Sequence, residues 1–217
     1  MKAHLIPSSI ACAIAFCASI TAAAELPADS AAVPSALVAP DLQLADHDDA
    51  YLYRLPYGDG VSYRVIQSYG SRLSHIGTEF YTVDFGMPIG TPVHAAREGI
   101  VVAIEDSQER ACWSTGCGRY ANHVAIRHSD GTIGEYFHLQ KEGVLVRVGD
   151  YVERGQAVAL SGNTGYTNVP HLHFGVYTMG ADSRQHSIDI RFATGDGVYG
   201  KLRAGRLYSN KLTAGGK

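Results

Sequence analysis

From Tyr51 onward the chain is a succession of short apolar or alternating runs separated by glycine-rich segments. This pattern is typical of strands and turns, and no long stretch sustains a helical period. Asp130-Gly131, between two alternating runs, is a strong hairpin signal. Residues 146–162 repeat Val-x-x-Gly, which predicts a tight antiparallel ribbon. The pattern therefore predicts an all-β fold built from antiparallel sheets.

The stretch PHLHFG places two histidines two positions apart in one predicted strand. Because side chains alternate between the faces of a strand, His171 and His173 point to the same side. The opposite face is apolar and is predicted to be buried: Leu172, Phe174 and Val176. The two histidines lie about 6.5 Å apart along the strand, which is awkward for two ligands of one zinc ion. We expect one to bind a metal and the other to stand over the reaction centre.

The same alternation orients polar side chains in other predicted strands. In residues 79–86, Asp84 points away from its apolar neighbours. In the run GEYFHL, Tyr136 and His138 share one face, so the Tyr136 hydroxyl is a candidate oxyanion or substrate contact. His128 shares a face with apolar residues of its own run and is predicted to be a core histidine.

The first 24 residues have the pattern of a cleaved signal peptide. Lys2 precedes an apolar run that ends in three alanines. That run is short and is broken by Pro7, which argues against a membrane anchor. We predict an exported protein, periplasmic or secreted. A linker or disordered arm is predicted over residues 25–50, and one domain over 51–217 with its core at about 67–180.

Charge and cysteine content narrow the partners and the compartment. The chain has 18 basic and 21 acidic residues, which argues against nucleic acid or an anionic membrane as the main partner. Two of the four cysteines lie in the predicted signal peptide, which leaves Cys112 and Cys117 as a pair. In an exported protein such a pair predicts a disulfide. The oligomeric state stays open.

Three segments carry a family resemblance. SHIGTEFYTVDFGMPIGTPVHAAREGIVV, GEYFHL and GNTGYTNVPHLHFGV are similar to the signature blocks of the lysostaphin/LytM-type zinc metallopeptidases, including their staphylolysin-like members. The resemblance implies one LytM-type domain, a duplicated hybrid motif of β-sandwich or barrel-like form, with long loops around a zinc cleft. It implies a metalloendopeptidase that cuts peptide bonds in bacterial peptidoglycan cross-links, with one Zn²⁺ per chain.

Residue by residue, the resemblance implies three zinc ligands, His75, Asp84 and His173, and two catalytic histidines, His138 and His171. Many relatives have a histidine four residues before the aspartate, where this chain has Phe80. We therefore assign His75, nine residues before the aspartate, as the first ligand. Two nitrogens and one oxygen leave a fourth position for water, the arrangement of a catalytic zinc site.

Two further features accompany the resemblance. The insertion EDSQERACWSTGCGRYAN, stiffened by the predicted disulfide, is expected to form one wall of the substrate groove through Trp113 and Tyr120. Many relatives have an acidic residue after the HLHF motif, where this chain has Gly175. A hydrogen bond that orients a metal-bound histidine is one candidate for what is lost when this position is glycine.

Other classes of function stay open from the residues alone. A noncatalytic module of the same fold would bind or activate cell-wall hydrolases. Two histidines and a carboxylate also form the facial triad of non-haem iron enzymes. A biotinyl-type carrier is disfavoured because the turn VGDYVERGQAV has no lysine to modify. The bond cleaved, the division of roles between the two catalytic histidines, and any inhibitory role of residues 25–50 are not determined.

Overall fold

The computed structural model describes residues 47–48 and 50–210. These residues form strands β1 (Leu52–Arg54), β2 (Ser62–Gln67), β3 (Val83–Gly86), β4 (Pro92–His94), β5 (Gly99–Glu105), β6 (Ala111–Cys112), β7 (His123–Arg127), β8 (Ile133–Phe137), β9 (Leu139–Val144), β10 (Tyr151–Val152), β11 (Ala157–Ser161), β12 (Gly165–Tyr166), β13 (Leu172–Met179), β14 (Gln185–Ser187), β15 (Arg191–Thr194), β16 (Gly197–Tyr199) and β17 (Leu207–Ser209). In this part of the chain the helical elements are two short 3₁₀ helices, Gly77–Glu79 and Thr115–Tyr120. The predicted all-β fold is confirmed.

One large antiparallel sheet dominates the fold. Its strand order is β10-β5-β7-β8-β13-β3-β2-β17, and β14 pairs with the far end of β13. Smaller sheets have the orders β4-β11-β9, β1-β15-β16 and β12-β6. Only the β1–β15 and β12–β6 pairs among the described strands are parallel. The strands after residue 190 thus complete the edges of this domain.

The hydrophobic core lies on one face of the large sheet. Alternation buries Leu172, Phe174 and Val176 of β13, as expected, together with Val83 and Phe85 of β3. The same core includes residues of the β4-β11-β9 sheet. The opposite face of β13 and β3 is therefore the face on which polar side chains meet.

The predicted ribbon over residues 146–162 is wrong. β10 pairs with β5 in the large sheet, whereas β11 pairs with β4 and β9 in another sheet. The turn between β10 and β11 contains Gly155 at a φ of +90° and carries the chain from one sheet to the other. The glycines of the repeat, Gly149 and Gly155, lie in turns that precede β10 and β11, but the repeat did not indicate the partners of these strands.

Several predictions fall partly or wholly on residues outside the described ranges. The predicted signal peptide of residues 1–24 lies entirely there, as does most of the predicted linker of residues 25–50. His47, at the start of the described chain, has its Nε2 3.2 Å from the Asp189 carbonyl oxygen. No helix among the described residues combines the length and apolar character needed to cross a membrane.

Candidate metal centre

The pairing of β13 with β3 brings two predicted ligands together. His173 is directly opposite Asp84 in the register, and on its other side His173 is opposite Phe137 of β8. The His173 Nδ1 atom lies 2.8 Å from Asp84 Oδ1. Because paired residues share a face, these side chains stand on the side of the sheet away from the core.

His75 reaches the same carboxylate from the segment before the first 3₁₀ helix. Its Nε2 lies 3.1 Å from Asp84 Oδ1, and the candidate ligand atoms of His75, Asp84 and His173 lie within 4.8 Å of one another. His75 is fully buried. Its Nδ1–H donates to the Ser68 carbonyl at 3.1 Å, while its Nε2 has no hydrogen-bond partner within the described chain.

Asp84 is held by a side chain that the sequence did not single out. A β-bulge between Val65 and Gln67 in the β2–β3 pairing places Gln67 opposite Asp84. Gln67 Nε2 donates to Asp84 Oδ2 at 2.6 Å. Burial would raise the pKa of Asp84, but the surrounding histidines outweigh it and hold that pKa well below its usual value. Asp84 is therefore a carboxylate at neutral pH.

The donor set fits zinc. Two imidazole nitrogens and one carboxylate oxygen converge, and one of these nitrogens is buried without a hydrogen bond among the described residues. Catalytic zinc sites use three protein ligands of this kind and keep one open position. A buried nitrogen lone pair that lacks a partner is unfavourable unless something else, such as a metal ion, binds it.

The two predicted catalytic histidines lie beside this cluster. Their ring centroids are 4.6 Å apart, and His171 Nε2 lies 3.7 Å from Asp84 Oδ2. The Nδ1–H of His138 donates to the Thr164 carbonyl at 2.6 Å, and that of His171 donates to the Val169 carbonyl at 2.8 Å. Carbonyl oxygens can only accept, so both rings carry their proton on Nδ1 and leave Nε2 as an acceptor.

Burial also favours the neutral form of both rings. It lowers the pKa of His138 to about 3, with a further contribution from the neighbouring histidines. Burial likewise lowers the pKa of His171, although Asp84 opposes the shift. Both imidazoles are therefore proton acceptors at neutral pH.

The prediction that Tyr136 reaches the cleft is wrong. Tyr136 is fully buried in the core, and its hydroxyl accepts a hydrogen bond from the Ala96 backbone N–H at 2.8 Å. Strand β8 ends at Phe137, and His138 has a φ of +65°. This left-handed residue breaks the alternation, so Tyr136 and His138 point to different sides. Such backbone strain is often found at functional sites.

A cavity of about 570 Å³ lies over the cluster and contains His138, His171 and His173 in its lining. Much of the rest is apolar. The apolar lining residues include Ile66, Leu73, Ile76, Trp113, Tyr166 and Val169.

Of the two aromatic residues predicted for the groove wall, Trp113 lines the cavity and Tyr120 does not. The Tyr120 hydroxyl accepts hydrogen bonds from Arg119 at 2.8 Å and Arg110 at 3.3 Å at the surface. Tyr166, which was not predicted, stacks on Trp113 with ring centroids 4.6 Å apart. The parallel pairing of β12 with β6 explains this, because it sets Tyr166 opposite Cys112. Cys112 is bonded to Cys117 in a disulfide.

Comparison with known proteins extends this picture. Residues 78–190, more than half of the chain, match the model of Peptidase family M23. Four of the five predicted site residues lie in that range, and His75 precedes it.

Two relatives share the region. Over 112 residues the chain is 41% identical to peptidoglycan DD-endopeptidase ShyA of Vibrio cholerae, a match that covers 51% of this chain and 23% of ShyA. Over 99 residues it is 43% identical to lysostaphin of Staphylococcus simulans, covering 45% of this chain and 18% of lysostaphin. The matches thus span about a fifth of the length of these two relatives.

Among solved structures, a zinc-containing peptidase from Vibrio cholerae is similar over 64% of this chain and 41% of that one, with 26% identity and a TM-score of 0.47. The match to the family model carries the assignment, since it covers more than half of the chain. This chain belongs to peptidase family M23.

Proposed function

We propose that this protein is an exported zinc metalloendopeptidase that hydrolyses peptide bonds in peptidoglycan cross-links. His75, Asp84 and His173 bind the metal, and His138 and His171 transfer protons. The observation that carries the proposal is the convergence of three ligand atoms within 4.8 Å beside two neutral histidines. Membership of a peptidase family and the similarity to a peptidoglycan endopeptidase support the reaction and the substrate class.

A bound zinc ion would supply a water nucleophile of lowered pKa and polarise the scissile carbonyl. The protein's own groups do the rest. His138 and His171 each turn an unprotonated Nε2 toward the cleft, so either can accept the proton of the attacking water. The same nitrogen, once protonated, can donate to the leaving amine. The hydrogen bonds to the Thr164 and Val169 carbonyls keep both rings in the required tautomer.

The stacked pair of Trp113 and Tyr166 is proposed as the wall against which the substrate peptide lies. Trp113 is half exposed, and its ring is held by Tyr166 and by the disulfide next to it. An exposed aromatic platform beside an apolar cavity binds chain segments without using charge. We expect Trp113→Ala to raise KM while leaving zinc affinity unchanged. A native KM in this variant would show that Trp113 does not contribute to substrate binding.

The decisive experiment is digestion of purified peptidoglycan with mass spectrometry of the released fragments. We expect fragments from the native protein, loss of release with a chelator, and zinc in the purified protein by metal analysis. Iron in place of zinc, or no fragments from the zinc-loaded protein, would contradict the proposal. The fragment masses also identify the bond that is cut.

The catalytic histidines are tested separately. His138→Ala and His171→Ala should each retain zinc and lower kcat by about 10²–10⁴-fold, the range for loss of a general acid or base. His186→Ala is the matched control, because the His186 side chain is 41% exposed and pairs with Asp182. Full activity in either cleft variant would contradict the assigned roles.

A further inference from the structure

We propose that Glu79 is a positioning residue that orients the imidazole of His173 for metal binding, and that the Tyr177 hydroxyl holds Glu79 in place. The inference rests on the proposed function, since it takes His173 to be a metal ligand. The proposal adds Glu79 and Tyr177 to the site, in roles that neither the sequence motifs nor the family match indicates.

The geometry of His173 requires a partner on its second nitrogen. Nδ1 faces Asp84 at 2.8 Å, and Nε2 lies 3.4 Å from Glu79 Oε2. A carboxylate at Nε2 favours the tautomer that carries its proton there, which leaves the Nδ1 lone pair for a metal. Glu79 therefore faces the second ring nitrogen of His173, as the Ser68 carbonyl faces the second ring nitrogen of His75.

Glu79 is fixed on both its backbone and its side chain. It ends the 3₁₀ helix Gly77–Glu79, and its carbonyl accepts a hydrogen bond from the Thr82 hydroxyl at 2.7 Å. Its Oε2 accepts a hydrogen bond from the Tyr177 hydroxyl at 2.5 Å. Tyr177 lies four residues after His173 on the same face of β13 and is almost completely buried.

Gly175, between these two residues on β13, makes room for this arrangement. A Cβ at position 175 would lie 2.9 Å from the Tyr177 ring and 2.7 Å from Thr82 Cγ2. Any side chain at this position would therefore displace the ring that holds Glu79. The glycine after the HLHF motif is thus accounted for by packing in this chain.

A second carboxylate, Glu135 of β8, also faces this group, because it is opposite Gly175 in the register. Burial and the charge of Glu79 raise the pKa of Glu135 to about 7. Of these two carboxyl groups, Glu79 is the one whose Oε2 lies 3.4 Å from His173 Nε2, and the same oxygen accepts the hydrogen bond from Tyr177. Glu79 is therefore the carboxyl group placed to orient His173.

The test measures zinc affinity by chelator competition. Loss of a partner that orients a metal ligand typically weakens affinity by about 10–100-fold, and we expect this range for Glu79→Ala. Glu79→Gln should fall between this variant and the native protein, since its amide oxygen can still accept from Nε2–H but has no charge. Tyr177→Phe should weaken affinity in the same direction by a smaller factor. The double variant of Glu79→Ala and Tyr177→Phe should bind no more weakly than Glu79→Ala alone, because the hydroxyl acts through Glu79.

Two measurements separate this role from a structural one. The absorption spectrum of the cobalt-substituted protein should change in Glu79→Ala, because a reoriented ligand alters the metal's geometry. The melting temperature measured with excess chelator should stay close to native, since Glu79 is partly exposed. Glu153→Gln, at an exposed turn, is the matched control and should leave both affinity and spectrum unchanged.

Glu79→Ala with zinc affinity within about twofold of native would overturn the assignment. An unchanged cobalt spectrum would do the same. Failure of the proposed function gives a different result, in which native protein binds zinc and depends on Glu79 for affinity but releases nothing from peptidoglycan.

Discussion

Two buried histidines in this protein share the same local chemistry and differ in what surrounds them. His75 and His128 are 0% and 4% exposed, and each donates Nδ1–H to a backbone carbonyl. In each the Nε2 atom lacks a hydrogen bond among the described residues. The His75 Nε2 faces Asp84 and lies near His173, whereas the His128 Nε2 faces the backbone of Gly134.

The comparison shows that burial and a missing hydrogen bond do not by themselves identify a metal ligand. A ligand needs other donor atoms close to the same point, and of these two histidines it is His75 that belongs to such a group, with Asp84 and His173. His128 also has charged neighbours, Arg97, Glu98 and Asp130, but among the described residues it belongs to no group of three possible metal ligands. His128 is thus the buried core histidine that its strand face predicted.

The largest expected difference between the two histidines is in zinc affinity. Structural zinc sites bind with about 10–16 kcal/mol over four ligands, so one ligand accounts for about 2.5–4 kcal/mol, roughly 60–700-fold in Kd. His75→Ala should weaken zinc binding by this factor, measured by chelator competition. His128→Ala should leave it unchanged. Equal effects of the two substitutions would remove the distinction.

The second difference is in pH dependence of stability. Burial, aided by Arg97, lowers the pKa of His128 to about 4, against opposing contributions from Glu98 and Asp130. Between about pH 6.5 and pH 4 the unfolded chain binds a proton that the folded chain does not, so stability falls as pH falls through this range. A shift of this size corresponds to about 3 kcal/mol.

His128→Asn tests this, because its amide can replace the Nδ1–H donor without titrating. The free energy of unfolding, measured by chemical denaturation with excess chelator, should fall less between pH 7 and pH 4 in the variant than in the native protein. The same slope in both proteins would mean that His128 does not titrate in this way.

The smallest expected effects come from two glycines, one beside each region. A Cβ at Gly134 would lie 2.8 Å from His128 Nε2, and a Cβ at Gly175 would meet Tyr177. Each alanine variant should lower stability by about 1–3 kcal/mol, as overpacking does. Zinc affinity should fall only in Gly175→Ala, by less than in Glu79→Ala. A loss of affinity in Gly134→Ala would show that the two regions are coupled.

Much of the site's placement was predictable from alternation. His171 and His173 do face one side, and Leu172, Phe174 and Val176 are buried on the other. This succeeded because a regular strand has a side-chain period of two, and β13 has no irregularity within this stretch. Their roles as ligand and catalytic group stay predictions.

Alternation failed where the backbone leaves the strand conformation. Because His138 has a left-handed backbone conformation, its side chain and that of Tyr136 point to different sides. The 3₁₀ helix that ends at Tyr120 places the Tyr120 ring beside arginines at the surface. Gln67 reached Asp84 only because of a bulge in β2. Sequence pattern does not specify such local departures, because tertiary packing determines which of several allowed conformations is stable.

The sequence by itself determined the class of fold, the polar and apolar faces of its main strands, and the set of histidines and carboxylates from which a site can be built. Tertiary structure alone decided which of these groups meet. It set His75 and Gln67 against Asp84, set Glu79 against His173, and left His128 among core residues. The physical reason is that alternation is a property of each strand, whereas convergence depends on register and turns between segments distant in the chain.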